Sequence, residues 1–441
     1  MIPKALDALK RAADAGDACW RRSERTTIAF ESGRLKSAGV VEESGLNVRV
    51  LKDGKVGVAG TTATDAPPSD VVTRALASAA LGEPLAIEFP SANRFPSVAT
   101  EAKSAGAASV GALADIGRGL VERLSRPDAQ INVTVEREVA ETTIGNTAGG
   151  QGSYRATGVS VSADIARVSD NDVLMIYDYY AGVGMPDAAD LDAVVESIKT
   201  RLELALTIVA SPSGSLPVVF SPMGLSAILL PLEEALSGKT LIQGISPLQG
   251  KVGEAVFAEA LSITDDPTLA NRPASYPFDD EGVPAAPLPL IERGAPRHFV
   301  HDLETAARLG GAQRSTGHGH RGVFGKPGLS YSNFIVGTTP TARPRWSLGG
   351  GLTDGIRDGL LIDDLIGVGQ GNVIGGAFSH PVALAYRVQN GKITGRVKDA
   401  AVAGNVYDLL KTIGGWGNDG RWVGTRWSPS LLLEGVSVAG R

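Results

Sequence analysis

Cysteine is almost absent from the chain. Cys19 is the only cysteine among 441 residues. With one cysteine, the chain can form neither an intrachain disulfide nor a four-cysteine zinc site. Because Cys19 follows a predicted N-terminal helix and stands next to Trp20, we interpret it as a packed thiol, not a catalytic nucleophile.

Long apolar runs are missing too. No stretch of about 18 consecutive apolar residues occurs, which is the length that a membrane-spanning helix needs. The first residues mix charged and apolar side chains, whereas a signal peptide has a continuous apolar centre. We therefore expect a cytoplasmic protein that does not cross a membrane.

The chain has no excess of positive charge, and it has few aromatic residues. Its formal net charge is -6 and its pI is about 5.5, so we expect no direct binding to nucleic acid. There are 55 glycines against 10 phenylalanines and 8 tyrosines. This balance indicates many tight turns and a strand-rich protein.

The spacing of apolar residues predicts an α+β fold in which helices pack on antiparallel sheets. Apolar positions three or four apart predict helices over residues 3–15, 67–84, 107–125 and 191–210. Alternating apolar residues predict strands at 26–31, 131–135, 159–163 and 216–220, with a glycine loop at 149–152. Asp53-Gly54 and Asn390-Gly391 predict the turns of two hairpins, at 46–58 and 383–397.

One segment has the composition of a linker. Ser211-Pro212-Ser213-Gly214 follows the helix predicted over 191–210. We place a domain boundary there, which gives an N-terminal α+β domain of residues 1–213. Residues 214–441 form a larger, strand-rich C-terminal domain that contains a mostly apolar helix over 225–236.

The histidines suggest a metal site. All five lie between residues 298 and 380, namely His298, His301, His318, His320 and His380. Imidazoles at such spacings can share a metal ion, although the same residues also suit a solvated polar loop. The acidic segments 265–266 and 279–281 do not have calcium-loop spacing, and we interpret them as turns.

Several segments in a fixed order resemble one family. They are Glu43–Val50 followed by Asp53–Gly57, Ile263–Leu269, Phe278–Pro284 and Ser428–Leu432. Together they resemble the TldD/PmbA family, also known as modulators of DNA gyrase, over nearly the whole chain. The resemblance implies a two-domain TldD/PmbA-like fold.

The resemblance also implies a division of roles between two kinds of subunit. TldD-type subunits carry His-Glu-x-x-x-His on a helix and a cysteine near the C-terminus, which bind zinc. In this sequence the corresponding positions are Leu229, Leu230 and Glu234, and the stretch 424–427 has no cysteine. Leucine has no lone pair to offer zinc. The chain therefore resembles the PmbA (TldE) type, and we expect no metal and no catalytic residue in it.

From this resemblance we expect a non-catalytic, substrate-shaping subunit of a TldD/TldE-type zinc metalloprotease that acts on peptides or unfolded segments. The zinc would belong to a TldD-type catalytic partner subunit. For the assembly of the chain we expect a homodimer or a heterodimer. Loop 315–326 would form one wall of a peptide channel, with these residues in the cleft: Arg314, His318, His320 and Arg321. Two alternatives stay open: an independent metallohydrolase that uses the His298–His320 cluster, and a protein that modulates gyrase by binding to it.

Overall fold

A computed structural model describes residues 1–169, 172–337, 340 and 347–440. Helices and mostly antiparallel sheets alternate along the chain, so the α+β class expected from the sequence is confirmed. Within the described residues, none of the helices combines the length and apolar character needed to cross a membrane.

The first half of the chain, taken here as residues 1–205, contains five helices and six strands among its described residues. The helices are α1 Ile2–Ala12, α2 Pro68–Ala80, α3 Lys103–Gly106, α4 Val110–Leu124 and α5 Ala188–Ala205. The strands are β1 Ala15–Glu31, β2 Arg34–Lys52, β3 Lys55–Thr61, β4 Gln130–Asn146, β5 Gln151–Ser169 and β6 Asp172–Gly182.

The second half is built from shorter elements. Its helices are α6 Ser226–Ala235, α7 Gly238–Ile242, α8 Leu303–Leu309 and α9 Val406–Leu409. Its first strands are β7 Ile208–Val209, β8 Gly214–Phe220, β9 Ile263–Asp265, β10 Leu288–Glu292, β11 Ala295–Pro296, β12 Gly319–His320, β13 Gly328–Leu329 and β14 Phe334–Val336. The remaining strands are β15 Asp358–Leu365, β16 Ala377–Gln389, β17 Lys392–Val397, β18 Ala400–Asn405, β19 Ile413–Trp416, β20 Arg421–Val423, β21 Arg426–Ser428 and β22 Leu431–Gly440.

The six strands of the first half form one antiparallel sheet in the order β3-β2-β1-β4-β5-β6. The turn between β2 and β3 is Asp53-Gly54, with φ of 50° and 70°. Two successive positive φ angles give the hairpin turn that Asp-Gly favours, so this predicted hairpin is confirmed.

The two faces of this sheet have different neighbours. On one face, Ala18 lies in a core with α1 and α2, and Ile28 lies in a core with α4 and α5. Asp17 and Cys19 point to the other face because side chains alternate along a strand. There they contact loops of the second half, through Arg321 and Phe278.

The second half contains two larger sheets. One has the order β11-β10-β9-β14-β21-β20. In the other, β15, β8, β22, β18 and β16 follow one another, and β16 also pairs with β15. These five strands therefore form a closed ring of pairings, which leaves none of the five as an outer edge of the ring.

The outer edge of β6 is covered where that strand ends. Its Tyr177 carbonyl accepts from Arg201 at 2.6 Å, and its Ala181 carbonyl accepts from Arg272 at 3.3 Å. Between them, the Tyr179 amide donates to the Asp178 carboxylate at 2.7 Å. These side chains occupy the backbone groups that an added strand would need.

Several strands are longer than the sequence patterns predict. The strand predicted at 26–31 is the end of β1, which starts at residue 15, and the strand predicted at 159–163 is the middle of β5. Gly152, predicted in a loop, lies within β5. Residues 34–43 of β2 are exposed throughout, so they carry no buried alternating pattern to reveal the strand.

The predicted domain boundary between residues 213 and 214 stays a prediction. One hydrophobic core combines Val133 and Ile198 with Leu361 and Tyr386, which lie on opposite sides of that boundary. The two halves are therefore packed on each other through a shared apolar core.

A glycine contact between the two halves gives a test of this packing. A methyl group at Gly60 would overlap the Val323 carbonyl oxygen, whereas one at Gly39 has no neighbour within 4 Å. We expect Gly60→Ala to lower the free energy of unfolding by about 1–3 kcal/mol because of this overlap. Gly39→Ala, the matched control, should stay within about 0.5 kcal/mol of the unsubstituted protein. Urea unfolding measures both, and equal effects would contradict the docking of residue 323 on β3.

Candidate functional site

Helix α6 carries the positions at which the family resemblance implies zinc ligands in TldD-type subunits. The helix spans Ser226–Ala235, one residue shorter at each end than predicted. Leu229 is 2% exposed and packs in the core of the second half. Leu230 is half-buried, and Glu234 is exposed. Leu229 therefore points away from the other two side chains, so the three do not converge on one point.

A small pocket lies beside this helix. It has a volume of about 250 Å³, and Leu230 and Glu234 line it together with residues 369 and 371–374. Glycine, valine and isoleucine make up most of that opposite wall, and Asn372 is its only polar side chain. The pocket thus offers one carboxylate and one amide to a ligand.

A bidentate ion pair joins α6 to the C-terminal stretch that would carry the family's cysteine. In Glu233, Oε1 lies 2.5 Å from Arg426 Nε and Oε2 lies 2.7 Å from Arg426 Nη2. Glu233 is 8% exposed. The Tyr331 hydroxyl donates to the Glu233 carbonyl at 2.6 Å and fixes the same turn of the helix. Both carboxylate oxygens are therefore held by one guanidinium.

The residues at this site do not fit a zinc ion. A catalytic zinc needs about three protein ligands from histidine, cysteine or carboxylate side chains. Here Leu229 lies in the core, Glu233 is bound by Arg426, and Glu234 is the only remaining donor of these types on the helix. Throughout the part of the chain that the structure describes, no three His, Cys, Asp or Glu side chains are arranged to hold a metal ion.

The structure does not bring the five histidines together. His298 is exposed, and its Nδ1 lies 2.8 Å from the Pro289 carbonyl. His301 is buried next to Gly238, and burial lowers its pKa to about 4. His380 lies on β16, where its ring stacks on Phe378 with centroids 5.9 Å apart. The alternative of a metallohydrolase built on the His298–His320 cluster therefore gains no support.

The four predicted cleft residues differ in exposure. His318 is fully buried, and its Nε2 lies 2.9 Å from Asp265 Oδ2. His320 Nδ1 lies 3.6 Å from Asp280 Oδ2, and Arg314 is exposed. Arg321 is buried, with 1% of its side chain exposed. Only Arg314 and His320 present appreciable surface, and the role of the loop as a channel wall stays a prediction.

Arg321 belongs to a buried charge network that the sequence did not reveal. Its Nη1 and Nη2 lie 3.0 and 2.7 Å from the two carboxylate oxygens of Asp17. Arg49 contacts the same carboxylate at 2.6 Å through Nη2, and its Nη1 contacts Glu281 at 2.6 Å. Burial raises the pKa of Asp17, but the charges of Arg321 and Arg49 outweigh it and hold this pKa below its ordinary value.

The acidic segment 279–281 forms a structural turn next to this network, and its Glu281 pairs with Arg49 of the network. The Asp279 carboxylate accepts backbone amides of Glu281, Val283 and Gly319 at 2.8–3.0 Å. The Glu281 carboxylate accepts the Leu303 amide at 2.7 Å. These contacts agree with the turn interpretation of the sequence, since the carboxylates bind backbone donors and arginine.

Family models match both halves of the chain. Residues 213–440 match the PmbA/TldA metallopeptidase C-terminal domain, and residues 16–80 match PmbA/TldA metallopeptidase domain 1. Fold and sequence together thus define a member of a metallopeptidase family. The chain belongs to the TldD/PmbA family, as the resemblance implied.

Individual relatives agree with this assignment. A metalloprotease of Methanothermobacter thermautotrophicus is 27% identical over 410 residues, which cover 90% of this chain and 87% of that protein. TldE from Thermococcus kodakarensis superposes with a TM-score of 0.87 at 23% identity, over 99% of both chains. A Thermotoga maritima protein, described as a candidate modulator of a DNA gyrase, gives 0.86 at 24% identity, over 99% of both. The two structures show that the fold is shared.

Removal of Arg321 tests the buried network. Arg321→Met leaves the Asp17 carboxylate with one cation in place of two, and we expect a loss of about 3–5 kcal/mol in the free energy of unfolding. Arg22→Met is the matched control because it breaks a pair with Glu42 in which both side chains are 60% exposed. Its effect should be below about 1 kcal/mol. Similar urea midpoints for the two variants would rule out a stabilising role for the network.

Removal of Arg426 tests the ion pair on α6. Arg426→Met leaves Glu233 buried without its partner, and we expect the free energy of unfolding to fall by about 2–3 kcal/mol. In Arg293→Met the lost partner is Glu259, and the two side chains are 75% and 70% exposed. That control should lose less than about 1 kcal/mol. If thermal unfolding shows that the Arg426 variant loses no more stability than the control, the Glu233–Arg426 pair does not stabilise the protein.

Proposed function

We propose that this chain is the non-catalytic, substrate-shaping subunit of a TldD/TldE-type zinc metalloprotease that acts on peptides or unfolded segments. The observation that carries the proposal is the bidentate pair between Glu233 and Arg426. This pair joins the helix and the C-terminal stretch that bring zinc ligands together in TldD-type subunits of the family.

The ion pair takes over the structural part of the metal's role. A zinc ion would link α6 to the C-terminal stretch by binding ligands from both. Here the Arg426 guanidinium provides the link, since it is charged at every physiological pH. It also satisfies both Glu233 oxygens and places a positive charge beside the helix, which disfavours a divalent cation there. The scaffold of the site is kept while its electrophile is lost.

The first sheet offers a surface for extended peptide. Residues 46–52 of β2 pair with β3, but among the described residues 34–44 pair only with β1. Leu35, Val40 and Val41 in this segment are 53–55% exposed. An extended segment can add to such an edge through backbone hydrogen bonds, which read little of its sequence. This property suits a subunit that presents unfolded chains to a catalytic partner.

A mixing experiment tests the proposal. The purified chain alone should not cleave an unfolded substrate such as reduced casein, because it has no electrophile to activate water. Adding a purified TldD-type subunit should give cleavage faster than that subunit alone. A zinc chelator should abolish this activity, and adding zinc back should restore it. Product formation is followed by mass spectrometry.

Glu234 supplies the matched control for this experiment. It is the one carboxylate left at the positions of the family's zinc helix, so a hidden catalytic role would fall on it. Glu234→Gln should leave cleavage by the mixture unchanged. Chelator-sensitive cleavage by this chain alone, lost in Glu234→Gln, would refute the non-catalytic role.

A further inference from the structure

A cavity of about 760 Å³ lies on the opposite side of β21 from the Glu233–Arg426 pair. Its walls come from the end of β6, the first turns of α5, residues 269–272 and strands β20 and β21. Neighbouring residues of a strand point to opposite sides, so Arg426 faces α6 while Trp427 lines the cavity. The volume is within the range of small-molecule sites, about 300–1,000 Å³.

Aromatic rings form much of the cavity wall. Tyr179 and Tyr180 line it from β6, and Trp422 and Trp427 line it from β20 and β21. The two tryptophan rings lie with their centroids 5.6 Å apart. In a chain with only 5% aromatic residues, this is an unusual concentration of flat apolar surface. Such walls suit a ligand with an aromatic or bulky apolar group.

Arg272 places a positive charge in this aromatic cavity. Its guanidinium carbon lies 4.0 Å from the centroid of the Trp422 ring, and its Nη1 donates to the Ala181 carbonyl at 3.3 Å. Its Nε is buried and has no hydrogen-bond partner within the described residues. Burial lowers the pKa of Arg272 to about 10, which reflects the cost of holding this charge away from water.

The acidic groups of the cavity are committed to other partners. Asp178 is bound by Arg421 at 2.9 Å and also contacts Arg201. Asp190 accepts the Asp187 amide at 3.0 Å, and Asp419 accepts the Ser430 amide at 2.8 Å. Among the described residues, the titratable groups that act on Arg272 are the tyrosines Tyr179 and Tyr180, with no carboxylate beside them. Among the described residues of the cavity wall, Arg272 is therefore a guanidinium without a carboxylate partner.

We propose that this cavity binds a carboxylate attached to an aromatic or bulky apolar group, with the carboxylate on Arg272 and the apolar group against Trp422 and Trp427. A planar guanidinium fork matches a carboxylate, and the terminal nitrogens of Arg272, which lines the cavity, would donate to it. A peptide that ends in such a residue is one source of this ligand, and that source rests on the proposed function. A free aromatic acid is the other source.

Simpler ligands fit the cavity less well. An inorganic anion would pair with Arg272 but would leave the aromatic walls unused. A neutral apolar molecule would fill the walls but would leave the buried charge without a partner, which is costly. The combination of rings and an unpaired guanidinium thus selects for both chemical groups in one molecule.

Binding to the full chain alone tests the proposal without any partner subunit or cleavage step. N-acetyl-phenylalanine should bind at millimolar or lower concentration, and it should change the tryptophan fluorescence, because two of the five tryptophans line the cavity. N-acetyl-phenylalanine amide has the same ring without the charge, and it should bind about tenfold or more weakly. Equal affinity for acid and amide, sulfate as strong as the acid, or no binding of the acid overturns the proposal.

Two further probes identify the source of the ligand. A tetrapeptide acid that ends in phenylalanine is compared with 3-phenylpropionate by calorimetry. Tighter binding of the peptide supports a peptide terminus, and binding of both with equal affinity supports the cavity with small aromatic acids as its ligands. Since neither measurement needs proteolysis, a failed mixing experiment leaves this result standing.

Substitutions of Arg272 test whether the ligand binds in the cavity. Arg272→Gln should weaken binding of the acid about tenfold or more and leave the amide unaffected, while Arg272→Lys should retain part of the preference for the acid. Arg118→Gln is the control, since Arg118 is exposed on α4 and pairs only with Asp115. Near-ultraviolet circular dichroism checks that each variant is folded. Wild-type affinity in a folded Arg272→Gln variant would place the ligand elsewhere.

Discussion

The Asp17 carboxylate, held between the guanidinium groups of Arg49 and Arg321, is the contact on which the arrangement of the two halves depends. Asp17 and Arg49 lie on the first sheet, and Arg321 comes from a loop of the second half. Removing any one of these charges leaves the others buried without balance, so the network is stable only when the loop is seated on the sheet. The same contact fixes Glu281, and through it the start of α8.

The sequence predicted those features that depend on neighbouring residues. Asp53-Gly54 and Asn390-Gly391 gave correct hairpins because each turn needs two residues with positive φ. The extent of β2 could not be predicted, since backbone pairing extends this strand through residues exposed on both faces. The pairing of Arg321 with Asp17 was beyond sequence patterns too, because 304 positions separate the two residues.

The candidate site also combines features that the sequence predicts with features that depend on contacts between distant residues. The family resemblance implies zinc-ligand positions at Leu229 and Glu234, and the sequence alone shows that neither residue is a histidine. The Glu233–Arg426 pair is not visible in the sequence, since it requires that α6 and β21 lie side by side. Arg426 forms a structural cross-link between α6 and β21 there.

The covered end of β6 has a consequence for assembly. A sheet with two open edges can recruit copies on both sides and grow without limit into a filament. Here side chains occupy backbone groups of Tyr177, Tyr179 and Ala181, so this end of β6 is closed to an added strand. The covered end of β6 thus limits the backbone groups through which this sheet can add a strand.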